Sequence, residues 1–348
     1  MTGSDGLRIA LIAPCANPVT RHSVDSVEQL VWLLAEELTR RGHAVTLFAT
    51  GDSQTSARLH AVHRRGYEHD AELTDWRFHE MMHVAAAFER AEYFDVIHSH
   101  NYGFALPFTR LVNVPVLHTF HTLPDTDFVR AFRSSPGAHV AAISRFQRSL
   151  YRGVRNVEVV YNGIDTDAFP FRSEPGDYLL FLGRLIPDKG PMQAVELARS
   201  VGMRLLMACP VDEYFEREVA PLVDGREVEY VGVVAGKERN DLLAGAAALL
   251  CPLQYQESFG LVMVEAMACG TPSVATGLGA VPEIIRAGVN GYWGNDMDQL
   301  RSLIPEALRL DRRQVRAEAV SRFDYRRMTD GYERLYRELM RVPEQQAG

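Results

Sequence analysis

Short apolar runs alternate along the chain with longer stretches whose apolar residues recur at helical spacing. Residues 8–13 and 44–49 are apolar runs of strand length, and residues 27–41 between them carry apolar side chains three or four positions apart. Gly42 follows as a helix stop. Strand, helix and strand in this order are typical of βαβ units around a parallel sheet.

The same alternation predicts the other elements. Further strands are expected at residues 95–98, 116–119, 139–143, 157–161, 178–182, 204–208, 228–231, 248–251 and 273–275. Further helices are expected at residues 190–201, 261–269 and 325–340. The alternation pauses at residues 162–177, where prolines and turn formers dominate, and this favours a domain boundary there.

We therefore predict an α/β protein with two Rossmann-like domains that face each other across a cleft. The predicted divisions are residues 1–165 for the N-terminal domain and 166–325 for the C-terminal domain, with a C-terminal helix and tail (326–348) that cross back to the N-terminal domain. A length of 348 residues suits two domains of roughly 150 residues each. In open α/β sheets the ligand binds at the carboxyl ends of the strands, so the chemistry is expected in those loops.

Composition and charge exclude several classes of protein. A net charge of −8 argues against non-specific nucleic-acid binding. The four cysteines show no Cys-x-x-Cys spacing, which disfavours a metal centre. The sequence has no run of 18 or more apolar residues and no basic and apolar leader, so we expect a cytoplasmic protein without a signal peptide.

A glycine and two basic side chains share the loop after the predicted strand 178–182. Gly183 allows the backbone to approach a ligand, and Arg184 and Lys189 add positive charge where a helix begins. Lysine occurs only at positions 189 and 237, so its retention here is informative. This pattern suits a diphosphate leaving group, and the alternative is a solvated loop.

A second loop carries two carboxylates around a helix start. Glu257 precedes the helix and Glu265 lies about two turns further on, with Phe259, Gly260 and Leu261 between them. The first-turn amides of a helix lack intrahelical partners, and carboxylates accept hydrogen bonds from vicinal hydroxyls. A sugar, a phosphate and a ribose would fit such an arrangement. The alternative is a helix-start acid and a surface acid.

These two segments together resemble the family 4 retaining glycosyltransferases of GT-B fold. Residues 40–46, 142–146, 161–169 and 281–285 are similar to further motifs of that family and occur in the expected order, so the resemblance covers about residues 7–340. It implies a hexosyltransferase (EC 2.4) that uses a nucleotide-diphosphate sugar, with UDP favoured and GDP as the alternative. It also implies retention of the anomeric configuration, and neither a metal nor another cofactor.

The resemblance also implies roles for individual residues. Arg184 and Lys189 would grip the donor diphosphate, Glu257 the donor sugar and Glu265 the nucleotide ribose. The sugar or its phosphate would contact backbone amides, those of Phe259, Gly260 and Leu261.

Histidines end two predicted strands of the N-terminal half. In the family a histidine at such a strand end faces the donor sugar, and the Thr-Phe-His order favours His121 over His118. Alternation in a strand places His118 on the opposite face from His121, packed into the sheet. His98 and Asn101 are candidates for contact with the acceptor, and the equally weighted alternative is histidines that only orient loops.

The first loop departs from the family. Family members commonly carry two glycines about eighteen residues before the glycine of the Gly-His junction, and this chain has Asp25 and Ser26 instead. We therefore treat Asp25 and Ser26 as a loop that contacts the acceptor or the phosphate. The substitution puts the donor sugar and the acceptor geometry in doubt and leaves the fold prediction unchanged.

Three alternatives stay open. A sugar-nucleotide epimerase or hydrolase of the same fold would need extra carboxylates, for which Asp125 and Asp127 are the nearby candidates. A non-catalytic binding protein would bind nucleotide without turnover. The acceptor is left open among small molecules, glycans and lipid-linked compounds. Arginine-rich helices near 128–133 and 147–155 would allow weak peripheral membrane association, and the alternative is that their arginines are simply solvated.

Overall fold

The computed structural model describes residues 6–23, 26–70, 73–135, 137–208, 210–211 and 213–341. The chain divides into two compact units. The first unit contains the chain up to Gly163 together with the chain from Tyr325 onward, and the second contains Ile164–Asp324. The second unit thus begins two residues before the predicted position 166 and ends one residue before position 325.

The first unit is built on a fully parallel sheet of seven strands among its described residues, in the order β3-β2-β1-β4-β5-β6-β7. The strands are β1 (Arg8–Ile12), β2 (Ala44–Phe48), β3 (Arg58–His60), β4 (Val96–Ser99), β5 (Val116–Phe120), β6 (Ala138–Ala142) and β7 (Val157–Val159). Its helices are α1 (Ser26–Arg40), α2 (Trp76–Phe88), α3 (Thr126–Arg133), α4 (Arg145–Leu150) and, from the end of the chain, α11 (Tyr325–Arg341).

The second unit repeats this plan with six parallel strands in the part of it that the structure describes, in the order β10-β9-β8-β11-β12-β13. The strands are β8 (Tyr178–Leu182), β9 (Arg204–Ala208), β10 (Val228–Gly232), β11 (Ala248–Cys251), β12 (Ser273–Thr276) and β13 (Gly291–Gly294). Its helices are α5 (Pro191–Ser200), α6 (Gly236–Gly245), α7 (Leu261–Ala268), α8 (Val281–Ile284), α9 (Met297–Ala307) and α10 (Arg312–Phe323).

Each sheet is covered by helices and buries near-continuous apolar strands, as expected for a parallel sheet. In the second unit, for example, Leu179, Phe181, Leu205 and Met207 are buried in one core cluster with residues of α5 and α9. The prediction of two Rossmann-like α/β domains is confirmed. β3 and β13 escaped prediction because both are short edge strands, one with polar ends and the other with a glycine at each end.

The helix stops and the return of the C-terminal helix follow the prediction. Gly42 has φ +89° and lies two residues after the end of α1, and Gly270 has φ +82° and lies two residues after the end of α7. Helix α11 packs against α1 in the first unit, where Arg41 donates to Asp330 at 2.7 Å and to Glu333 at 3.1 Å. A partly buried ion-pair network thus holds α11 beside α1 in the first unit.

Candidate active site

The strand order of the second unit reverses between β8 and β11. The loops after these two neighbouring strands leave the sheet at its carboxyl edge, which is where open α/β sheets place their ligands. One loop carries Gly183, Arg184 and Lys189, and the other leads to Glu257. The sheet therefore brings together two segments that lie far apart in the sequence.

A close backbone contact locks the two loops together. The backbone amide of Gln254 donates to the carbonyl oxygen of Asp188 at 2.8 Å. Gly190 has φ +75°, and a Cβ atom at this position would lie 2.0 Å from the carbonyl oxygen of Pro252. Only glycine tolerates both the conformation and the approach. The preceding residue, Lys189, is thereby fixed beside the second loop.

Lys189 contacts two side chains of that loop. Its Nζ atom lies 3.2 Å from Oε2 of Glu257 and donates a hydrogen bond to the hydroxyl of Tyr255. The ammonium also lies 4.6 Å from the centre of the Tyr255 ring. The Tyr255 hydroxyl in turn donates to Oε2 of Glu257. Burial, and then the charge of Glu257, raise the pKa of Tyr255, so the phenol stays neutral.

Glu257 is buried and held by hydrogen bonds on both oxygens. Oε1 accepts from the amide of Ser258 at 3.0 Å and from the amide of Phe259 at 3.4 Å, while Oε2 faces Lys189 and Tyr255. Its own carbonyl oxygen accepts from the amide of Ala280 at 2.8 Å. The carboxylate thus has a fixed orientation next to the start of α7.

The start of α7 offers backbone amides. Gly260 has φ +93° and caps the helix without a side-chain hydrogen bond, and Leu261 begins it. An N-terminus of this kind favours an anion. The ring of Phe259 is buried and packs edge-on against Phe323, and its amide faces Oε1 of Glu257, so the backbone and not the ring of Phe259 borders the site.

The other two predicted donor residues of this unit lie nearby in the same loops or helices. Arg184 is exposed in the loop after β8. Glu265, in the second turn of α7, accepts a hydrogen bond from Arg239 of α6, whose side chain is about as buried as that of Lys189. Sequence reasoning missed Arg239 because nothing in its local sequence connects it with Glu265.

The strand order of the first unit reverses between β1 and β4. Several polar residues lie in and after the strands at this point. His98 is buried and both of its ring nitrogens have partners: Nδ1 lies 2.7 Å from the hydroxyl of Tyr336, and Nε2 lies 2.8 Å from Oγ1 of Thr119. Burial lowers the pKa of His98 well below its usual value. The enclosed ring joins α11 to the strand ends, which agrees with the alternative of a histidine that orients structure, and contact of His98 with the acceptor stays an untested prediction.

His121 lies where the sequence predicted, directly after β5. Its Nε2 atom lies 3.0 Å from Nδ1 of His100, and the two rings are stacked at 5.3 Å. Burial lowers the pKa of His121 to about 4, so it is neutral at neutral pH. His118 is packed into the unit as expected, with Nε2 2.9 Å from Oγ1 of Thr109 and the ring against Phe132.

Asn101 belongs to a buried polar cluster that the sequence did not reveal. Its amide nitrogen donates to Glu80, a buried residue of α2. Glu80 also accepts from the amide of Cys15 at 3.1 Å and from its thiol at 3.2 Å. Burial raises the pKa of Glu80. Asn101 therefore ties the loops after β1 and β4 to α2, and its amide nitrogen is not open to an acceptor.

The remaining candidates lie at the surface or outside the described residues. Ser26 is exposed as the first residue of α1, and Asp25 lies outside the described residues. Asp125 caps α3 by accepting from the amide of Phe128 at 2.7 Å. The side chain of Asp127 is 91% exposed and pairs only loosely with Arg130, at 3.8 Å. Neither aspartate forms the buried acid–base pair that an epimerase would need.

Helix α3, one of the two predicted sites of membrane association, buries its apolar side chains in the protein core. Val129 and Phe132 are buried in a core cluster against which Phe128 packs, so the side that faces solvent is polar. No described helix is both long and apolar enough to cross a membrane. Among the described residues, no group of three or more histidine, cysteine, aspartate or glutamate side chains is arranged to hold a metal ion.

Two family models match the chain in succession. The model described as "Glycosyltransferase Family 4" matches residues 27–168, and the one described as "Glycosyl transferases group 1" matches residues 176–310. Between them they account for most of both units. The first match contains His121, and the second contains Arg184, Lys189, Glu257 and Glu265.

Curated relatives and solved structures agree with these matches. The chain is 30% identical to D-inositol 3-phosphate glycosyltransferase of Mycobacterium marinum over 66% of its length and 58% of the relative's. It is 29% identical to the protein of the same name from Mycobacterium sp. (strain KMS), and spans 63% of that relative's length. AviGT4, a glycosyltransferase involved in avilamycin A biosynthesis, superimposes with a TM-score of 0.72 at 26% identity, covering 97% of this chain and 99% of that one. Sucrose-phosphate synthase from Thermosynechococcus elongatus shares the fold with a TM-score of 0.76 at 21% identity, covering 95% and 98%.

Proposed function

The chain belongs to the family 4 glycosyltransferases of GT-B fold, and from this premise we propose that it transfers a hexose-type sugar from a nucleoside diphosphate, with UDP as the first choice and GDP as the second. We further propose that the transfer retains the anomeric configuration, needs no metal ion and takes place in the cytoplasm. The acceptor proposed for the first trial is D-inositol 3-phosphate, which the curated relatives carry in their name.

The observation that carries the proposal is the contact of Lys189 with Glu257 at the carboxyl edge of the second sheet, 3.2 Å apart and beside the start of α7. A cation and a helix N-terminus attract the leaving diphosphate, while the carboxylate accepts hydrogen bonds from the hydroxyls of the sugar. Arg184 adds a second cation from the same loop. Fixed positive charge of this kind replaces the neutralisation that a metal ion gives in other transferases.

The other residues complete the proposed reaction. Glu265 binds the ribose hydroxyls, and the amides of Phe259, Gly260 and Leu261 contact the sugar or its phosphate. His121, neutral at the working pH, faces the donor sugar and donates or accepts a hydrogen bond there. As the bond between the anomeric carbon and the phosphate oxygen breaks, the departing phosphate oxygen takes the proton of the acceptor hydroxyl. The acceptor oxygen bonds to the anomeric carbon on the face that the phosphate leaves, so the configuration is retained.

A thermal-shift panel with UDP, GDP, ADP and dTDP in the presence of EDTA tests the donor. A nucleotide at a hundred times its dissociation constant adds about 2.7 kcal/mol of stability. We expect one nucleotide to raise the melting temperature with EDTA present. A stabilisation that appears only when Mg²⁺ is added would overturn the metal-free site, and no stabilisation by any of the four would overturn the nucleotide-sugar proposal.

Product analysis separates the transferase from its rivals. With donor and acceptor present we expect a glycoside whose anomeric proton coupling matches that of the donor. Conversion of the donor sugar without acceptor would indicate an epimerase or a hydrolase. Nucleotide binding without any product from a panel of small-molecule, glycan and lipid-linked acceptors would favour a binding protein.

A further inference from the structure

Tyr255 lies between the two charged side chains that carry the donor site. Its hydroxyl accepts a hydrogen bond from the Lys189 ammonium and donates one to Oε2 of Glu257. A neutral phenol has one donor and two acceptor positions, so it can satisfy a cation and an anion at the same time. Neither the family resemblance nor the charge pattern of the sequence assigned a role to this residue.

The bridge matters because the carboxylate is more deeply buried than the ammonium. The side chain of Glu257 is 12% exposed and that of Lys189 is 26% exposed. If Lys189 turned to a diphosphate and nothing else faced Oε2, the buried carboxylate would lose its main partner on that oxygen, and an unpaired buried charge is costly. With Tyr255 in place, Oε2 keeps a hydrogen bond whichever way the ammonium points.

We propose that Tyr255 is a positioning residue of the donor site, whose hydroxyl holds Glu257 in place and so allows Lys189 to leave the carboxylate for the donor diphosphate. The inference rests on the proposed function, since it requires that Lys189 binds a diphosphate. Without the hydroxyl, the ion pair between Lys189 and Glu257, 3.2 Å apart, is the remaining interaction on Oε2 and competes more strongly with the ligand for the ammonium. The loss then falls on diphosphate affinity and on the KM for the donor more than on kcat.

Two substitutions separate the hydroxyl from the ring. Tyr255→Phe keeps the ring and its contact with the ammonium and removes the bridge. Tyr255→Gln removes the ring, but its amide can accept from Lys189 and donate to Glu257. The control is Tyr178→Phe, on β8 of the same unit. This change removes a hydroxyl that donates to the carbonyl oxygen of Leu242 at 2.8 Å.

The measurement is isothermal titration of the full chain with UDP and UMP, with GDP and GMP in their place if the nucleotide panel selects guanine. Loss of a hydrogen bond to a charged group predicts a UDP dissociation constant raised by about 10-fold or more in Tyr255→Phe. We expect a smaller change for UMP, partial recovery of UDP affinity in Tyr255→Gln, and wild-type affinity in Tyr178→Phe. Melting temperatures confirm that each variant is folded.

The outcomes distinguish this inference from the proposed function. If the wild type binds UDP, Lys189→Ala loses it, and Tyr255→Phe binds as the wild type does, then the positioning role is wrong and the donor site stands. The positioning role is equally wrong if Tyr255→Gln binds worse than Tyr255→Phe, because the ring and not the hydroxyl would then be what the site needs. If the wild type binds none of the nucleotides, the proposed function itself is overturned.

Discussion

His98 and Tyr336 lie 238 positions apart in the chain, and Nδ1 of His98 lies 2.7 Å from the hydroxyl of Tyr336. Both side chains are fully buried, and Nε2 of His98 continues the network to Thr119, which also meets the hydroxyl of Tyr332 at 3.2 Å. The C-terminal helix is thereby joined by hydrogen bonds to the strand ends of β4 and β5. His100 and His121 leave those same strand ends.

Tyr336→Phe removes one partner of a buried histidine nitrogen. We expect the free energy of unfolding to fall by about 1–3 kcal/mol, because an unsatisfied buried polar group costs its desolvation. Urea unfolding monitored by circular dichroism measures it. Tyr93→Phe, at an exposed position in the same unit, is the control and should leave the stability unchanged. Equal stability of the two variants would contradict the role given to His98.

The two lysines of the chain form a natural test of the leaving-group assignment. Lys189 is partly buried at the site, whereas Lys237 is exposed and pairs with Asp241 one helical turn away. We expect Lys189→Ala to raise the dissociation constant for the nucleoside diphosphate by on the order of 100-fold, since a partly desolvated charge-assisted contact is worth about 3 kcal/mol. Titration with UDP measures it, and Lys237→Ala should bind as the wild type does. Full retention of affinity in Lys189→Ala would contradict the assignment.

The sequence predicted the sheets better than the contacts between loops. Alternation of apolar runs and helical stretches was enough for the parallel strands, and the two charged motifs pointed to the loops after β8 and β11. Lys189 and Glu257 are 68 positions apart, and their contact depends on the close approach of Gly190 to Pro252. Which side chains meet across such a contact is decided by tertiary packing, so Tyr255 had no signal of its own.

The histidines illustrate the same limit in the first unit. Strand alternation correctly separated His118 from His121. It also placed His98 at a strand end, where a ligand contact is a reasonable expectation, but the partner that encloses this ring is Tyr336 from the far end of the chain. Arg239, 26 positions from Glu265, is a second case in which a tertiary contact defines the environment of a predicted residue.

Gly279 supports Glu257 through the backbone. It has φ +65°, and a Cβ atom there would lie 2.2 Å from the carbonyl oxygen and 2.4 Å from the amide nitrogen of Glu257. Gly279→Ala must therefore displace the Glu257 backbone, and we expect a clear loss of both UDP affinity and melting temperature. Gly202→Ala is the matched control, because Gly202 has φ +66° and nothing within 4 Å of the added atom. It carries the same conformational cost of about 1–2 kcal/mol without the clash. Equal effects of the two changes on UDP affinity would show that Glu257 does not depend on this contact.

His121→Ala separates catalysis from nucleotide binding. The residue lies in the first unit and the diphosphate residues lie in the second, so we expect the transfer rate to fall by roughly 100-fold, a general acid–base or hydrogen-bonding contribution, with UDP affinity nearly unchanged. Initial rates and titration measure the two quantities separately. His118→Asn, which alters a packed histidine, should lower the melting temperature and leave the rate per folded molecule intact. The opposite result would move the role to His118.

Buried histidines predict how stability depends on pH. Burial lowers the pKa of His83 and His121 to about 4 and that of His118 to about 3, against an ordinary value of about 6.5 in the unfolded chain. Between these values the unfolded chain binds protons that the folded chain does not, so stability is fully present above pH 6.5 and is lost as the pH falls towards 4. Each such histidine contributes a slope of about 1.4 kcal/mol per pH unit over that interval. We expect melting temperatures to fall steeply from pH 6.5 to pH 4.5, and His83→Gln to flatten this dependence while His69→Gln, at an exposed position, leaves it unchanged. A melting temperature that is constant over this interval would mean that these rings accept protons without unfolding, and therefore that His83 and His118 are not enclosed as the structure shows.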